Sequence, residues 1–222
     1  GKVMIKNKKL LSVLSTVLML GVIITGCGGG GEDKGSGTTK DTLIVAQGAD
    51  AKSLDPHASN DSPSSRVIKQ INETLVYQDE KMELKPGLAE SWKQLDELTY
   101  EFKLKKGVKF HNGEELKASD VKFTILRALE SPSVSHIVGS IDPAKLEIVD
   151  DYTIKISTKE PFASLLAHLA HPSSSILSEK AVTESGENYG QNPVGTGAFK
   201  FVKWNTGDSI ELTVFEDFHG EA

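Results

Sequence analysis

The sequence of 222 residues predicts a globular protein that mixes α-helices with antiparallel β-strands, a mixed α+β form of the α/β class. Tyr100, Phe102 and Leu104 alternate with charged residues, which is the period of a strand with one buried face. Apolar residues over 67–75 recur at helical spacing and predict an amphipathic helix. No heptad, Gly-X-Y triplet or repeat of about 20–50 residues indicates a fibrous or repeat architecture.

The first 26 residues have the pattern of an export signal. Four lysines precede an uncharged run, 10–26, whose roughly 15 strongly apolar residues are few for a bilayer span of ~20. The run ends in Ile24-Thr25-Gly26-Cys27, which resembles a bacterial lipobox. We therefore predict a signal peptide at 1–26, lipid attachment at Cys27 and a flexible linker at 27–41. A transmembrane anchor is the alternative, but the glycines at 28–31 would end its helix.

The charge and the cysteine count exclude several classes of protein. Without the four signal lysines, 21 basic side chains face 31 acidic ones, a net charge of −10. Such a chain is a poor nucleic-acid binder, and Arg66 and Arg127 are its only arginines. A single cysteine can form neither an internal disulfide nor a paired-cysteine metal site.

Local patterns predict the elements of the first half in order. An apolar run at 43–46 predicts a buried strand, and Pro56 closes the turn after it. A helix starts at Pro63 with Ser64 or Ser65 and runs through 67–75. Residues 84–92 form a turn-bearing link, because they contain Pro-Gly. The strand at 100–104 continues through 108–110 to an Asn-Gly turn at 111–113.

The second half continues the mixture of helices and strands. Ser119-Asp120 offers an N-cap for a helix that stops near Ser131-Pro132. Two runs at 146–149 and 153–156 predict a hairpin, and a helix fits 162–169. A second hairpin pairs 198–204 with 209–215 and turns at 205–207. Trp92 and Trp204 are expected to pack at the core or at a sheet edge.

Seven sequence blocks carry a specific resemblance, and the first is Ser53-Leu54-Asp55-Pro56-His57. The others are residues 73–77, 84–92, 100–113, 118–121, 192–199 and 215–220. Together and in this order they resemble the family 5 extracellular solute-binding proteins, the peptide- and nickel-binding receptors of ABC importers. The resemblance covers nearly all of 42–222.

The resemblance implies a type II periplasmic-binding-protein-like fold with a discontinuous first lobe. That lobe would take residues 42–72 and 185–222, and an inserted subdomain would take 73–184. The second lobe would follow Ala222 and is missing from this sequence, and with it the acidic residue that pairs with a peptide's amino terminus.

The function that the resemblance implies is capture without chemistry, with no enzyme activity, no cofactor and no metal. The expected partners are an oligopeptide or dipeptide ligand, the ABC permease in the membrane and the lipid at Cys27, with no nucleic acid. We expect a monomer that is lipid-anchored to the cell membrane and faces outside. Nickel-chelate, heme or sugar ligands stay open, as do a non-transporting surface receptor and a truncated remnant.

The resemblance also implies ligand-facing residues in two loops. The loop 60–62 should face the cleft from the first lobe, and the loop 131–133 from the inserted subdomain. Several peptide binders place an aromatic residue at position 133, where this chain has a serine. A further polar contact is expected between Gly195 and Gly197, glycines that let two segments pass closely. The ligand-binding residues expected are Asn60, Asp61, Ser62, Ser133, His57 and Thr196.

Other chemical readings of the sequence are weaker. His168 and His171 have a spacing that can share a helix face, but no third metal ligand stands nearby. His111 is expected to be a turn residue with one ring nitrogen bonded to the backbone. The sequence lacks the Gly-x-Ser-x-Gly elbow that is typical of a serine hydrolase. Residues 195–197 lack the third glycine of a dinucleotide-binding fingerprint.

Overall fold

The computed structural model describes residues 41–46 and 51–220. The predicted signal peptide, Cys27 and the linker up to residue 40 lie outside the described residues. The strands within them are β1 Thr42–Ala46, β2 Val76–Gln78, β3 Leu84–Pro86, β4 Ala89–Gln94, β5 Thr99–Leu104, β6 Glu147–Asp150, β7 Thr153–Ser157, β8 Phe199–Asn205 and β9 Ser209–Val214. The α-helices are α1 Ser62–Ile71, α2 Ala118–Glu130, α3 Ser135–Val138, α4 Leu165–Leu169 and α5 Glu179–Ser185. Short 3₁₀ turns are Pro143–Lys145, Pro172–Ser174 and Gly186–Gln191.

A three-stranded antiparallel sheet joins the two ends of the described chain in the order β1-β9-β8. Leu212 and Ile210 of β9 pack with Val67 and Ile71 of α1 in a small core. The hairpin that follows residue 198 is confirmed, and so is a strand at 43–46. That strand is not buried as predicted, because Ile44 is 46% exposed and Leu43 and Val45 are only partly buried. This topology agrees with a discontinuous first lobe, whose boundaries at 72 and 185 stay a prediction.

A four-stranded antiparallel sheet, in the order β4-β5-β7-β6, supports the larger core. Phe102 of β5 and Ile154 of β7 are fully buried against Val121 and Ile125 of α2. The alternating strand at 100–104 and the hairpin after 146 are confirmed. Trp92 packs at the edge of this core, as expected.

The amphipathic helix α1 ends earlier than its apolar pattern predicts. It stops at Ile71, because Asn72 is extended and its N–H bonds back to the Ile68 carbonyl. Leu75 is buried, but it leads into β2 and belongs to the larger core. The prediction of helix up to 75 is therefore wrong.

Three further predictions about elements need correction. Residues 84–92 were predicted to be a link, but they contain β3 and the start of β4. These two strands belong to different sheets. Residues 108–110 do not extend β5, since only a single bridge joins Lys109 to Glu115. Helix α4 covers only Leu165–Leu169, shorter than the predicted 162–169.

The cap of α2 lies two or three residues before the predicted Ser119-Asp120. Lys117 is the N-cap residue, and the Asp120 side chain accepts its backbone N–H at 3.0 Å. Asp120 therefore helps to begin the helix from inside its first turn. The predicted stop is confirmed, with Ser131 at the C-cap. None of the helices among the described residues is long and apolar enough to span a membrane.

Candidate ligand-binding site

The segment between β1 and α1 ends in a well-bonded helix cap. Asp61 is the N-cap of α1, and its carboxylate accepts the Ser64 N–H at 3.0 Å and the Ser64 hydroxyl at 2.7 Å. The Ser59 hydroxyl donates to the same carboxylate. Asn60 and Ser62, on either side of Asp61, are exposed. Asp61 thus holds the loop together, while its two neighbours present polar groups to solvent.

A bidentate ion pair ties the beginning of this loop to α2. The Arg127 guanidinium donates from Nη1 to Asp55 Oδ1 at 2.8 Å and from Nη2 to Asp55 Oδ2 at 2.6 Å. Burial alone would raise the pKa of Asp55, but the hydrogen bond and charge of Arg127 outweigh it and hold that pKa below its ordinary value. The pair is mostly shielded from water, because the Asp55 side chain is 11% exposed and Arg127 24%. A fork-to-fork pair in such surroundings fixes orientation as well as distance.

His57 completes the cluster as a neutral, buried ring. Its Nδ1 lies 2.7 Å from Arg127 Nη1, which can only donate, so Nδ1 accepts and the proton sits on Nε2. Burial, with the Arg127 charge, lowers the pKa of His57 to about 4 despite the nearby Asp55 carboxylate. The His57 side chain is therefore an internal element of the loop, and Nε2 has no partner among the described residues.

The other side of the guanidinium faces an aromatic ring. Arg127 lies over Tyr189, with 5.7 Å between the guanidinium carbon and the ring centroid. The Tyr189 hydroxyl donates to the Val194 carbonyl at 3.0 Å, and burial raises the pKa of that hydroxyl. Arg127 is thus fixed between the loop of Asp55 and the 3₁₀ turn at 186–191.

The second predicted loop starts at the end of the helix that carries Arg127. The Ser131 hydroxyl donates to the Arg127 carbonyl at 3.0 Å, and α2 ends there. Ser133 follows and is exposed. The ion pair therefore anchors both predicted ligand-facing loops, one beginning five residues beyond Asp55 and the other four residues beyond Arg127.

Thr196 does not join these loops. It is fully buried, and its hydroxyl donates to Glu73 Oε1 at 2.9 Å. His219 Nε2 lies 2.7 Å from the same carboxylate oxygen. These groups lie at the C-terminal end of α1, a helix of ten residues and therefore about 15 Å long. Thr196 supports the chain crossing at that end and has no exposed surface to offer a ligand.

The two glycines flanking Thr196 allow the close passage that the sequence predicts. A Cβ atom on Gly197 would lie 2.6 Å from the Gln70 carbonyl oxygen, and one on Gly195 would overlap the Ile71 carbonyl. The Gly197 N–H donates to the Ile71 carbonyl at 2.8 Å. The passing chain thus satisfies one of the free carbonyls at the end of α1.

His111 bonds this crossing from the other side. Its Nε2 lies 2.9 Å from the Gly197 carbonyl oxygen, and its Nδ1 accepts the Gly195 N–H at 3.2 Å. Both ring nitrogens are engaged, where the sequence predicts one. Burial lowers the pKa of His111 to about 4, so the ring is neutral at pH 7.

The remaining histidine pair has backbone partners. His168 Nδ1 lies 2.7 Å from the Ile137 carbonyl oxygen, and His171 Nδ1 accepts the Ser173 N–H at 3.0 Å. Among residues 41–46 and 51–220, no group of three or more His, Cys, Asp or Glu side chains could hold a metal ion.

Arg127 and Glu73 are organising residues of these clusters that the sequence did not predict. Arg127 carried a signal, since it is one of two arginines and directly precedes the buried Ala128 of α2. A guanidinium so close to an apolar helix face needs a carboxylate partner. Nothing local identifies that partner as Asp55, which lies 72 residues earlier.

The chain belongs to family 5 of the bacterial extracellular solute-binding proteins. The family model described as "Bacterial extracellular solute-binding proteins, family 5 Middle" matches residues 83–222, more than half of the chain. This match confirms the class of protein that the sequence blocks suggest, and the type II periplasmic-binding-protein fold with it.

Particular relatives share much of the described chain. It is 38% identical over 179 residues to the glutathione-binding protein GsiB of Pectobacterium atrosepticum, a stretch that covers 79% of this chain and 34% of that protein. The ABC transporter-associated periplasmic binding protein DppA of Helicobacter pylori, solved with the peptide STSA, superposes with a TM-score of 0.71 at 33% identity over 78% of this chain and 39% of its own. NikZ of Campylobacter jejuni, solved with Ni(L-His), superposes with a TM-score of 0.69. The two chains are 30% identical over 78% of this chain and 35% of NikZ. The chain spans about a third of the length of these relatives.

Proposed function

We propose that this chain belongs to the substrate-binding receptor of an ABC importer, which captures short peptides outside the cell and passes them to a membrane permease. Its class is a binding protein without catalysis, as in the family to which it belongs. The relatives named above bind glutathione, a peptide or a nickel chelate. Glutathione is itself a tripeptide, so two of these three relatives favour a short peptide as the ligand.

The observation that carries the proposal is the ion pair between Asp55 and Arg127. It connects two exposed polar loops, one with Asn60 and Ser62 and the other with Ser133, and so prepares a surface before any ligand arrives. A peptide main chain needs such hydrogen-bonding partners once it is buried. Because the described residues form one wall, we expect a second lobe of the full-length protein to close over the ligand.

Calorimetry on the full-length gene product tests this function. The titrants are reduced glutathione, trialanine, dialanine and Ni(L-His), with free glycine as the negative control. We expect a dissociation constant in the micromolar range or tighter for at least one peptide. Binding of the nickel complex alone would replace peptide by metal chelate as the ligand. No binding of any titrant would favour the non-transporting receptor.

A pair of matched serine variants tests the proposed surface. Ser133 and Ser119 are both exposed, and they lie at opposite ends of α2. Ser133→Ala removes a hydroxyl from the proposed ligand wall, and we expect several-fold weaker peptide binding, whereas Ser119→Ala should bind as wild type. Equal affinities of the two variants would remove the 131–133 loop from the site.

We further propose that Cys27 carries a lipid that keeps the receptor at the outer face of the cell membrane. The support is the sequence alone: a basic start, an apolar run, and two small residues before the cysteine. The net charge of −10 calculated without the signal suits an exported protein with no nucleic-acid partner.

A further inference from the structure

The segment from Ser53 to Asp61 lacks the regular hydrogen bonds of a helix or a strand. Its path depends on hydrogen bonds near its two ends, including one from the Leu54 N–H to the Gly190 carbonyl at 3.0 Å. At one end Asp55 accepts the His57 N–H at 2.9 Å, and its carbonyl accepts the Ala58 N–H at 3.1 Å. At the other end Asp61 caps α1. The exposed Asn60 lies between these anchors, so its direction follows from both.

The two anchors differ in what holds them. Asp61 is held by groups of its own neighbourhood, Ser59 and Ser64. Asp55 is held from another element, because both of its carboxylate oxygens accept from Arg127 on α2. The same guanidinium nitrogen that reaches Asp55 Oδ1 also reaches His57 Nδ1. One side chain therefore sets two residues of the loop at once.

We propose that Arg127 is a positioning residue of the ligand site, whose guanidinium holds residues 55–58 in the shape that presents Asn60 and Ser62 to a peptide. The inference rests on the proposed function for its consequence on binding. The effect of Arg127 on the shape of residues 55–58 exists without a ligand, so it can be measured in the unliganded protein. The Tyr189 ring lies against the guanidinium of Arg127 and so helps to hold its two terminal nitrogens towards Asp55.

Lysine cannot replace arginine in this arrangement. Its ammonium keeps the positive charge beside Asp55, but it is a point donor and lacks the planar fork that meets two carboxylate oxygens and a ring nitrogen together. Arg127→Lys therefore separates geometry from charge. Arg127→Gln removes the charge as well, and Arg66→Lys is the matched control, since Arg66 is exposed on α1.

Amide hydrogen exchange in the full-length protein without ligand is the first measurement. We expect the amides of His57 and Ala58 to exchange at least tenfold faster in Arg127→Lys, with the amides of α1 unchanged. Arg66→Lys should match wild type throughout. Exchange of the two loop amides at the wild-type rate in Arg127→Lys would overturn the proposal.

Ligand affinity and the titration of His57 complete the test. We expect Arg127→Lys to raise the dissociation constant for the tightest peptide at least tenfold. An unchanged constant despite faster exchange would also overturn the proposal, because the ligand would not depend on the loop shape. In Arg127→Gln, the ring resonances of His57 should titrate above the pKa of about 4, since the Arg127 charge that lowers it is gone and Asp55 remains. Because burial is the larger cause of the low pKa of His57, the comparison is made with Arg127→Lys, which keeps the charge and should raise this pKa less than Arg127→Gln does.

The two proposals fail in different ways. If the wild-type protein binds none of the peptides, the proposed function fails, and the exchange rates alone still decide whether Arg127 holds the loop. If wild type binds and the variants bind equally well, the function stands and the positioning role falls.

Discussion

Lowering the pH should destabilise the fold through His111, and the size of the effect follows from how far burial lowers the pKa of this ring. The ring accepts the Gly195 N–H on Nδ1, so protonation there removes an acceptor and places a charge in a site that is 6% exposed. The folded pKa of about 4 lies below the ordinary value of 6.5. Between these values the unfolded chain binds the proton and the folded chain does not, so stability falls as the pH falls through that window.

Linkage converts this difference into a free energy. Between pH 7 and pH 5, a histidine with these two pKa values lowers the free energy of unfolding by roughly 2 kcal/mol. His57, with a folded pKa also of about 4, adds a loss of similar size and the same sign. The slope of stability against pH should therefore contain two comparable histidine contributions.

Urea unfolding of His111→Gln at the two pH values measures the contribution of this ring. The amide is neutral at both, so the loss of stability between pH 7 and pH 5 should be about 2 kcal/mol smaller than in wild type. The variant should also be less stable at pH 7, because it loses the edge contact with Phe215. His136→Gln, at an exposed histidine, is the matched control for the substitution itself. A wild-type slope in His111→Gln would refute the assignment of a neutral buried ring.

Three other substitutions test the helix ends and the export signal. Asp61→Ala removes the N-cap of α1 and should cost about 1 kcal/mol in urea unfolding, with no loss if the cap is dispensable. Gly197→Ala places a methyl group 2.6 Å from the Gln70 carbonyl oxygen, and we expect a loss of about 1–3 kcal/mol, whereas a variant as stable as wild type would contradict this close passage. Cys27→Ala should leave unprocessed precursor or release the protein from the membrane, as cell fractionation would detect. Membrane retention of a correctly cleaved form would argue against lipid attachment.

The alternating strand β5 was predictable because its signal is local. Phe102 and Leu104 are buried while Lys103 between them is exposed, which is the pattern that a sheet with one solvated face imposes on neighbouring residues. The turn at Asn112-Gly113 was predictable for the same reason, since Gly113 has a φ of 87°. Both features depend on residues within a few positions of each other.

The end of α1 was not predictable from its own sequence. Leu75 continues the apolar period of the helix, but it is buried in the larger core instead. The Ile71 carbonyl finds its partner in the Gly197 N–H, which lies far along the chain. A helix end that is completed by a distant segment leaves no cap signal in the residues around it.

In the candidate site, too, some features could be predicted from the sequence and the long-range contacts could not. The exposed loops of Asn60 and Ser133 followed from the family resemblance, position by position. The bonds that fix those loops did not, because the Asp55–Arg127 pair spans 72 residues and its two members lie in otherwise ordinary turn and helix sequences.

Helix α1 lies between the exposed loop at its N-terminus and the chain crossing at its C-terminus. Its N-terminus is capped by Asp61 beside the exposed loop, and its C-terminal carbonyl is bonded by Gly197, whose own carbonyl is bonded to His111. A receptor that binds by closing two walls gains affinity when each wall is ordered beforehand, because less conformational entropy is lost on binding. The buried contacts at both ends of α1 supply that order, while the proposed ligand-facing residues Asn60, Ser62 and Ser133 stay exposed.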